Sequence, residues 1–244
     1  VNSAPVLEID VGNTRLKWRL LDPGGQIGAR GVNAFDDHAA KLPCAGSEGR
    51  ARIVSVAGAE RDQALCAHLA SLGYASVAFA RAGPVHGRLR SGYRSPDQLG
   101  ADRWLAMIAA AATNEGGFAV LDAGSALTLD LVSERGEHQG GWIVPGLALM
   151  RRSLLHSTAG VRFEHTQDQE CARPGRDTGE AVSAGVLAMA RDFVAARIVR
   201  FRRSCPSAVL FITGGDGPCF SSHLPGPVAH RPDLVLDGLG EVLD

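Results

Sequence analysis

Two short apolar stretches, each interrupted by an aspartate and a glycine turn and then resumed as an alternating strand, repeat one another along this chain. The first is Val6-Leu7-Glu8-Ile9-Asp10-Val11-Gly12-Asn13-Thr14-Arg15-Leu16-Lys17-Trp18. The second is Phe118-Ala119-Val120-Leu121-Asp122-Ala123-Gly124-Ser125-Ala126-Leu127-Thr128-Leu129-Asp130. Each predicts a strand ending in Asp, a turn built of Gly with amide or hydroxyl residues, and a second strand. The repeat extends further. Arg52–Gly58 and Val209–Gly217 are both buried-strand runs ending in small-residue turns, and the first is followed by helical material around Leu65, Leu69 and Leu72. Such an order predicts an α/β fold, a mixed sheet with helices on its faces, in each half.

Three helices are expected. Leu99–Thr113 is rich in Ala, Leu and Met. Pro145 opens a second through His156, its fixed φ suiting a first helical position. The third runs from Thr178 to about Arg203, capped by Asp177 with Glu180, with Val182, Val186, Met189 and Phe193 as its apolar face. Asn114-Glu115-Gly116-Gly117 breaks the alanine-rich helix and sets a division into residues 1–115 and 116–244. His165–Arg176 reads as a mobile loop, and Pro84–Pro96 as a loop suited to ligand contact.

With 244 residues and 45% hydrophobic content the chain can bury a sizeable core. A formal net charge of -1 offers no field for nucleic acid or an anionic membrane. The arginines at 200, 202 and 203 fit the end of a helix, where the dipole favours cations. No apolar run approaches the roughly 20 residues of a membrane span. The N-terminus enters a strand without a basic segment and apolar stretch, so no secretion signal is expected, while a first residue of Val rather than Met leaves room for a short leader ahead of it. Its five scattered cysteines lack C-x-x-C spacing, and its eight histidines form no H-E-x-x-H pair. Reduced thiols in a cytoplasmic protein are the expectation.

The chemistry follows from the turns. Glycine lets backbone approach a bound group, and exposed N–H groups in such a turn cradle an anion. An Asp at the strand end can hold a hydrated cation beside that anion. Taken alone, the Asp10 turn could be a tight hairpin; its duplication at Asp122, Gly124 and Ser125 points to two turns gripping a polyphosphate, as in nucleotide-driven phosphotransfer. Lys17 is either a phosphate contact or a solvated strand residue. Asp102, in a first helical turn, either complements the dipole or acts as a base, with Gly100 opening space and Arg103 able to clamp a carboxylate. Tyr93 either bonds the substrate or caps the core. Gly140-Gly141-Trp142-Ile143-Val144-Pro145-Gly146 either presents N–H groups to phosphate or is a close-packed turn, and Thr213-Gly214-Gly215-Asp216-Gly217 is placed like a nucleoside-binding turn.

Taken together, D-V-G-N-T at Asp10, G-Y-R-S-P-D-Q-L-G-A-D-R at Gly92–Arg103, D-A-G-S-A-L-T-L-D at Asp122, G-G-W-I-V-P-G at Gly140, D-T at Asp177 and T-G-G-D at Thr213 resemble the type III pantothenate kinases. The resemblance covers almost the whole chain. It implies two duplicated ribonuclease-H-like lobes of the actin-like ATPase superfamily, and ATP-dependent phosphorylation of the terminal hydroxyl of pantothenate, the first step towards coenzyme A. By this resemblance Asp10, Val11, Gly12, Asn13, Thr14, Arg15, Leu16 and Lys17 would bind ATP phosphates, with Asp10 near magnesium and Ser125 on ATP. Tyr93, Gly100, Ala101, Asp102 and Arg103 would hold pantothenate, with Asp102 the proton acceptor. Asp122 would bind a monovalent cation, K+ or NH4+, and Thr178 would reach pantothenate across a homodimer interface. The chain departs from the family in having Ser at 125 for the usual Thr, and Asp at 177 for a frequent Asn. Two other classes are a nuclease with Asp10, Asp122 and Asp130 as a two-metal cluster, which the lack of basic surface disfavours, and a non-catalytic regulator on the same fold.

Overall fold

The structure, a computed structural model, describes residues 4–34, 42–45, 48–157, 173–221 and 224–243. In chain order the first unit carries β1 (Val6–Val11), β2 (Arg15–Leu21), β3 (Ile27–Ala34), β4 (Gly49–Ser55), α1 (Ala59–Ser71) and β5 (Tyr74–Phe79). A short hairpin of β6 (Val85–His86) and β7 (Leu89–Arg90) and a 3-10 turn at Pro96–Gln98 then lead into α2 (Ala101–Thr113). The second unit carries β8 (Phe118–Ala123), β9 (Ala126–Val132), β10 (His138–Pro145), α3 (Leu147–Ser157), α4 (Thr178–Phe201), β11 (Val209–Thr213), α5 (Pro218–Ser221) and β12 (Val228–His230). The last helix, α6 (Leu234–Val242), follows.

The two larger sheets have one topology. Their orders are β3-β2-β1-β4-β5 and β10-β9-β8-β11-β12. In each, three antiparallel strands are followed by two added in parallel. β1 alternates, as period two requires: Leu7, Ile9 and Val11 join Leu65 and Leu69 of α1 in one core, and Glu8 and Asp10 take the other face. β8 repeats this, with Ala119, Leu121 and Ala123 packed with α4 residues Val186, Leu187, Ala190 and Val194. Each such fully buried Leu or Ile contributes about 1.5–3 kcal/mol.

The compact units are Val1–Thr113 with Asp233–Asp244, and Asn114–Pro232. Residues 233–244 thus group with the first unit and not with the second. The reason is α6, whose Leu234, Val235, Leu236 and Leu239 are buried. At Gly238 a Cβ would strike the Leu105 carbonyl of α2, so the two helices meet at backbone distance. An ion network also ties α6 to the sheet. Glu8, fully buried on β1, accepts from Arg19 Nε at 2.5 Å and Arg52 Nη1 at 3.1 Å, while Arg19 Nη1 reaches Asp237 at 2.7 Å. Burial alone would lower the Arg19 pKa, but Asp237 and Glu8 outweigh it and hold the guanidinium above its usual value. Removing one member would strand a buried charge, at a cost of about 3–5 kcal/mol.

Several expectations shift. Pro145 is the last residue of β10, opposite Ala126, and α3 begins at Leu147. An edge strand tolerates a proline because its missing N–H leaves no ladder partner unsatisfied. α2 starts at Ala101, since Leu99 is extended (φ -71°, ψ 132°). α4 ends at Phe201, where Arg202 Nε and Nη2 turn back to the carbonyls of Ala208 and Pro227. Its buried face runs through Ser183, Val186, Leu187, Ala190, Val194 and Ile198, and Met189 is exposed. The loop expected at His165–Arg176 lies, through residue 172, outside the described residues.

Candidate active site

The two repeated turns close in the same way. Gly12 N–H donates to the Arg15 carbonyl at 3.0 Å, and Gly124 N–H to the Ala126 carbonyl at 3.0 Å. Asn13 and Thr14 lie between the first pair and Ser125 alone between the second, so the first turn is longer by a residue. Asn13, Thr14, Arg15 and Ser125 are all exposed. Val11 and Leu16 are buried and anchor the first turn, while Gly12 is half-buried. Arg61 of α1 donates to the Asn13 carbonyl at 3.3 Å, bracing the tip.

Asp10 stands opposite Lys17 across β1 and β2, on the face turned from the α1 core. Lys17 is neither simply solvated nor unengaged: its Nζ lies 2.7 Å from Asp233 Oδ1. Burial pushes the Asp233 carboxyl up, but Lys17, together with Arg30 and Arg19, holds it below the usual carboxylate range. Sequence reading missed Asp233 because it stands just ahead of the last helix, far along the chain. A signal was present for its neighbours: Glu8 and Arg19 are charged positions within apolar strands, and the hairpin register sets them opposite each other.

Asp122 takes the corresponding place in the second unit, with Thr128 opposite and Thr213 alongside. Two glycines close on this turn. Gly214 has φ +85°, and a Cβ there would strike the Asp122 carboxylate and the Ala123 carbonyl. Gly146 donates its N–H to the Ser125 carbonyl at 3.1 Å, and a Cβ there would come within 2.7 Å of that oxygen. Gly146 is therefore a close-packed turn residue. Asp216 N–H donates to the Ala123 carbonyl at 2.9 Å, so the Thr213–Gly217 turn is seated on the second Asp-Gly turn.

Asp102, Arg103 and Tyr93 are brought together at the start of α2. Gly100 supplies the carbonyl that accepts from Trp104 N–H at 3.0 Å. The half-buried Asp102 folds back so that Oδ1 accepts from Arg103 N–H at 2.8 Å. A Cβ at Gly100 would sit 2.6 Å from that same oxygen, so glycine makes room for the carboxylate. Arg103 is 6% exposed. It donates from Nη1 to Tyr93 Oη at 2.7 Å and stacks over the Tyr93 ring. Ala101, half-buried, opens the helix between them. Thr178 belongs to the second unit, exposed at the first position of α4. Asp177 caps that helix, accepting from Glu180 N–H at 2.8 Å, so the Asp found here serves as a cap.

Asp130 is buried and pairs with His138 Nε2 at 2.9 Å. Among the described residues no three His, Cys, Asp or Glu side chains gather to hold a metal. Cys44, Cys66, Cys205 and Cys219 are free thiols. No helix among the described residues is long and apolar enough to cross a membrane.

The sequence model of the type III pantothenate kinase family matches residues 6–200. The chain is 39% identical to the type III pantothenate kinase of Ectopseudomonas mendocina (strain ymp), over 96% of this chain and 97% of that one. Among solved structures it resembles a Campylobacter jejuni protein described as a Baf family transcriptional activator, with TM-score 0.63, 20% identity and 96% of both chains covered. A Sinorhizobium meliloti protein described as a 2-dehydro-3-deoxygalactonokinase aligns with TM-score 0.58 and 13% identity, over 96% of this chain and 97% of that one. At such identities the structural likeness speaks for the duplicated α/β fold alone.

Proposed function

The chain belongs to the type III pantothenate kinase family, and on that premise we propose how its own residues divide the work of phosphorylating pantothenate with ATP, the first step of coenzyme A biosynthesis. The observation that carries the assignment is the cluster at the head of α2. A carboxylate and a guanidinium already oriented by Tyr93 stand on consecutive residues, Asp102 and Arg103. Pantothenate has a hydroxyl at one end and a carboxylate at the other, so a base beside an anion clamp suits it. Arg103 would hold the carboxylate, Tyr93 and the Gly100–Ala101 backbone would shape the pocket, and Asp102 would receive the hydroxyl. Thr178 would add a contact from a second copy of the chain.

Phosphoryl transfer runs through a loose transition state, so positioning and charge stabilisation do most of the work. An alcohol is too weak an acid for a carboxylate to deprotonate in advance. Asp102 therefore orients the hydroxyl and takes its proton late, as the bond to phosphorus forms. The turn from Asp10 to Lys17 would cradle the ATP phosphates, and Ser125 would contact ATP.

Asp10 would hold magnesium through water, and Asp122 would hold potassium or ammonium. The fit is chemical: both are strand-end carboxylates, the oxygen donors that such hard cations take. When bound, these cations offset charge on the polyphosphate. We further assign a homodimer, supported by the exposed apolar residues Trp142, Ile143, Leu149 and Met189 of the second unit, and a cytoplasmic setting, supported by the free thiols. The test is a coupled assay: ADP release should require pantothenate, and a pure, folded preparation that releases none would overturn the assignment.

A further inference from the structure

Resting on the reading of the first turn as the phosphate cradle, we propose that Asp233 is a positioning residue for ATP: it aims the Lys17 ammonium from the last helix of the chain. Lysine carries a point charge on a flexible four-carbon stem, and an unanchored one loses rotamer freedom when it engages a ligand. Holding it beforehand moves that cost from binding to folding.

The geometry is that of an anchor. Asp233 directs Oδ1 to Lys17 Nζ at 2.7 Å and Oδ2 to Arg30 Nη1 at 3.2 Å. It sits at the N-cap of α6, where an Asp side chain ordinarily accepts from the helix's own N–H groups, yet it makes no such cap bond. One turn on, Asp237 holds Arg19 at 2.7 Å. Four residues of helix rise about 6 Å and two residues of strand about 6.6 Å, so successive turns of α6 match successive same-face residues of β2. The two anchored cations differ in what surrounds them. Arg19 is closed in by Glu8 and Asp237, with 10% of its side chain exposed, whereas Lys17 keeps 29% exposed and stands across from Asp10. Arg19 thus serves the fold, and Lys17 is held at an open face beside the turn.

The experiment is a double-mutant cycle on the full chain, with melting temperatures recorded for every variant. Lys17→Met should lower kcat/KM for ATP by roughly 10²-fold. Asp233→Ala should lower it by roughly 10-fold and leave the KM for pantothenate unchanged. The double variant should match Lys17→Met alone, because Asp233 acts only through Lys17. If the two losses multiply, or if Asp233→Ala turns over ATP normally while Lys17→Met does not, the positioning role is overturned. Normal ATP kinetics in Lys17→Met would instead overturn the reading of the first turn on which the proposal rests. Should Asp233→Ala fail to fold, Asp233→Asn keeps the shape without the charge and must show the same non-additivity.

Discussion

Tyr93 Oη accepts a hydrogen bond from Arg103 Nη1 at 2.7 Å, and the same guanidinium lies over the Tyr93 ring, 5.5 Å from its centroid. One aromatic residue therefore fixes both the direction and the plane of the proposed carboxylate clamp. Tyr93→Phe keeps the ring but removes the acceptor. The KM for pantothenate should rise roughly 3- to 10-fold with kcat nearly constant. Arg103→Lys should raise it further, because an ammonium lacks the two-pronged fork. Steady-state kinetics with pantothenate as the varied substrate reads both.

Asp102→Asn separates chemistry from helix stability. As proton acceptor, Asp102 should be worth roughly 10²–10⁴ in kcat, with the KM for ATP little changed. If the carboxylate only complements the helix dipole, the variant should lose about 0.3–1 kcal/mol of stability and keep its turnover. Melting temperature and kcat measured on one preparation decide between them.

Potassium or ammonium should support turnover much better than sodium, and Asp122→Ala should raise the cation concentration needed. Gly214→Ala tests the same place from the other side. Its φ of +85° and its closeness to the Asp122 carboxylate predict a loss of roughly 1–3 kcal/mol together with a weaker potassium response. Equal rates in sodium and potassium for the parent enzyme would remove the monovalent site.

A homodimer should survive at micromolar concentration. Light scattering that returns the 25.5 kDa monomer mass throughout would refute it, and with it any contact from Thr178 of a second copy. Met189→Glu, at a position 57% exposed, should weaken the dimer while leaving each chain folded.

The depressed pKa of Asp233 gives a pH signature. A carboxyl held lower in the folded than in the unfolded chain adds stability above its unfolded pKa and loses it as pH falls through the folded value. Asp233→Asn should therefore melt below the parent at neutral pH. The gap should close as pH drops below about 4 and onward through the lower folded value. A gap that persists unchanged into strong acid would mean that the ionised Asp233 is not its source.

Much of the fold was legible because its signals are short-range. Strand alternation, the two Asp-Gly turns and the apolar content of α2 are each decided within a dozen residues, and the duplication follows from reading them twice. What failed also has local causes. Pro145 satisfies the rule for a helix start, yet pairing with Ala126 on an edge strand claimed it first. α6 carries Gly238 and Gly240 inside its span, which lowers helix propensity and hid it from a pattern reading. Met189 fits the apolar stripe of α4 but is turned outward, because the stripe that packs is set by what faces it.

Sequence by itself determined the chemistry on offer: two Asp-Gly turns with strand-end carboxylates, and Asp102 beside Arg103 with Gly100 before them. Only the tertiary structure decided how those groups are held. Gly100 is needed because the Asp102 carboxylate folds over it, and Gly214 because Asp122 occupies the space beside it. Lys17 is held by an aspartate more than two hundred residues away, at a distance of 2.7 Å. A side chain's type is written at its own position, whereas its partner is chosen by which distant elements pack against it, and that depends on the whole chain at once.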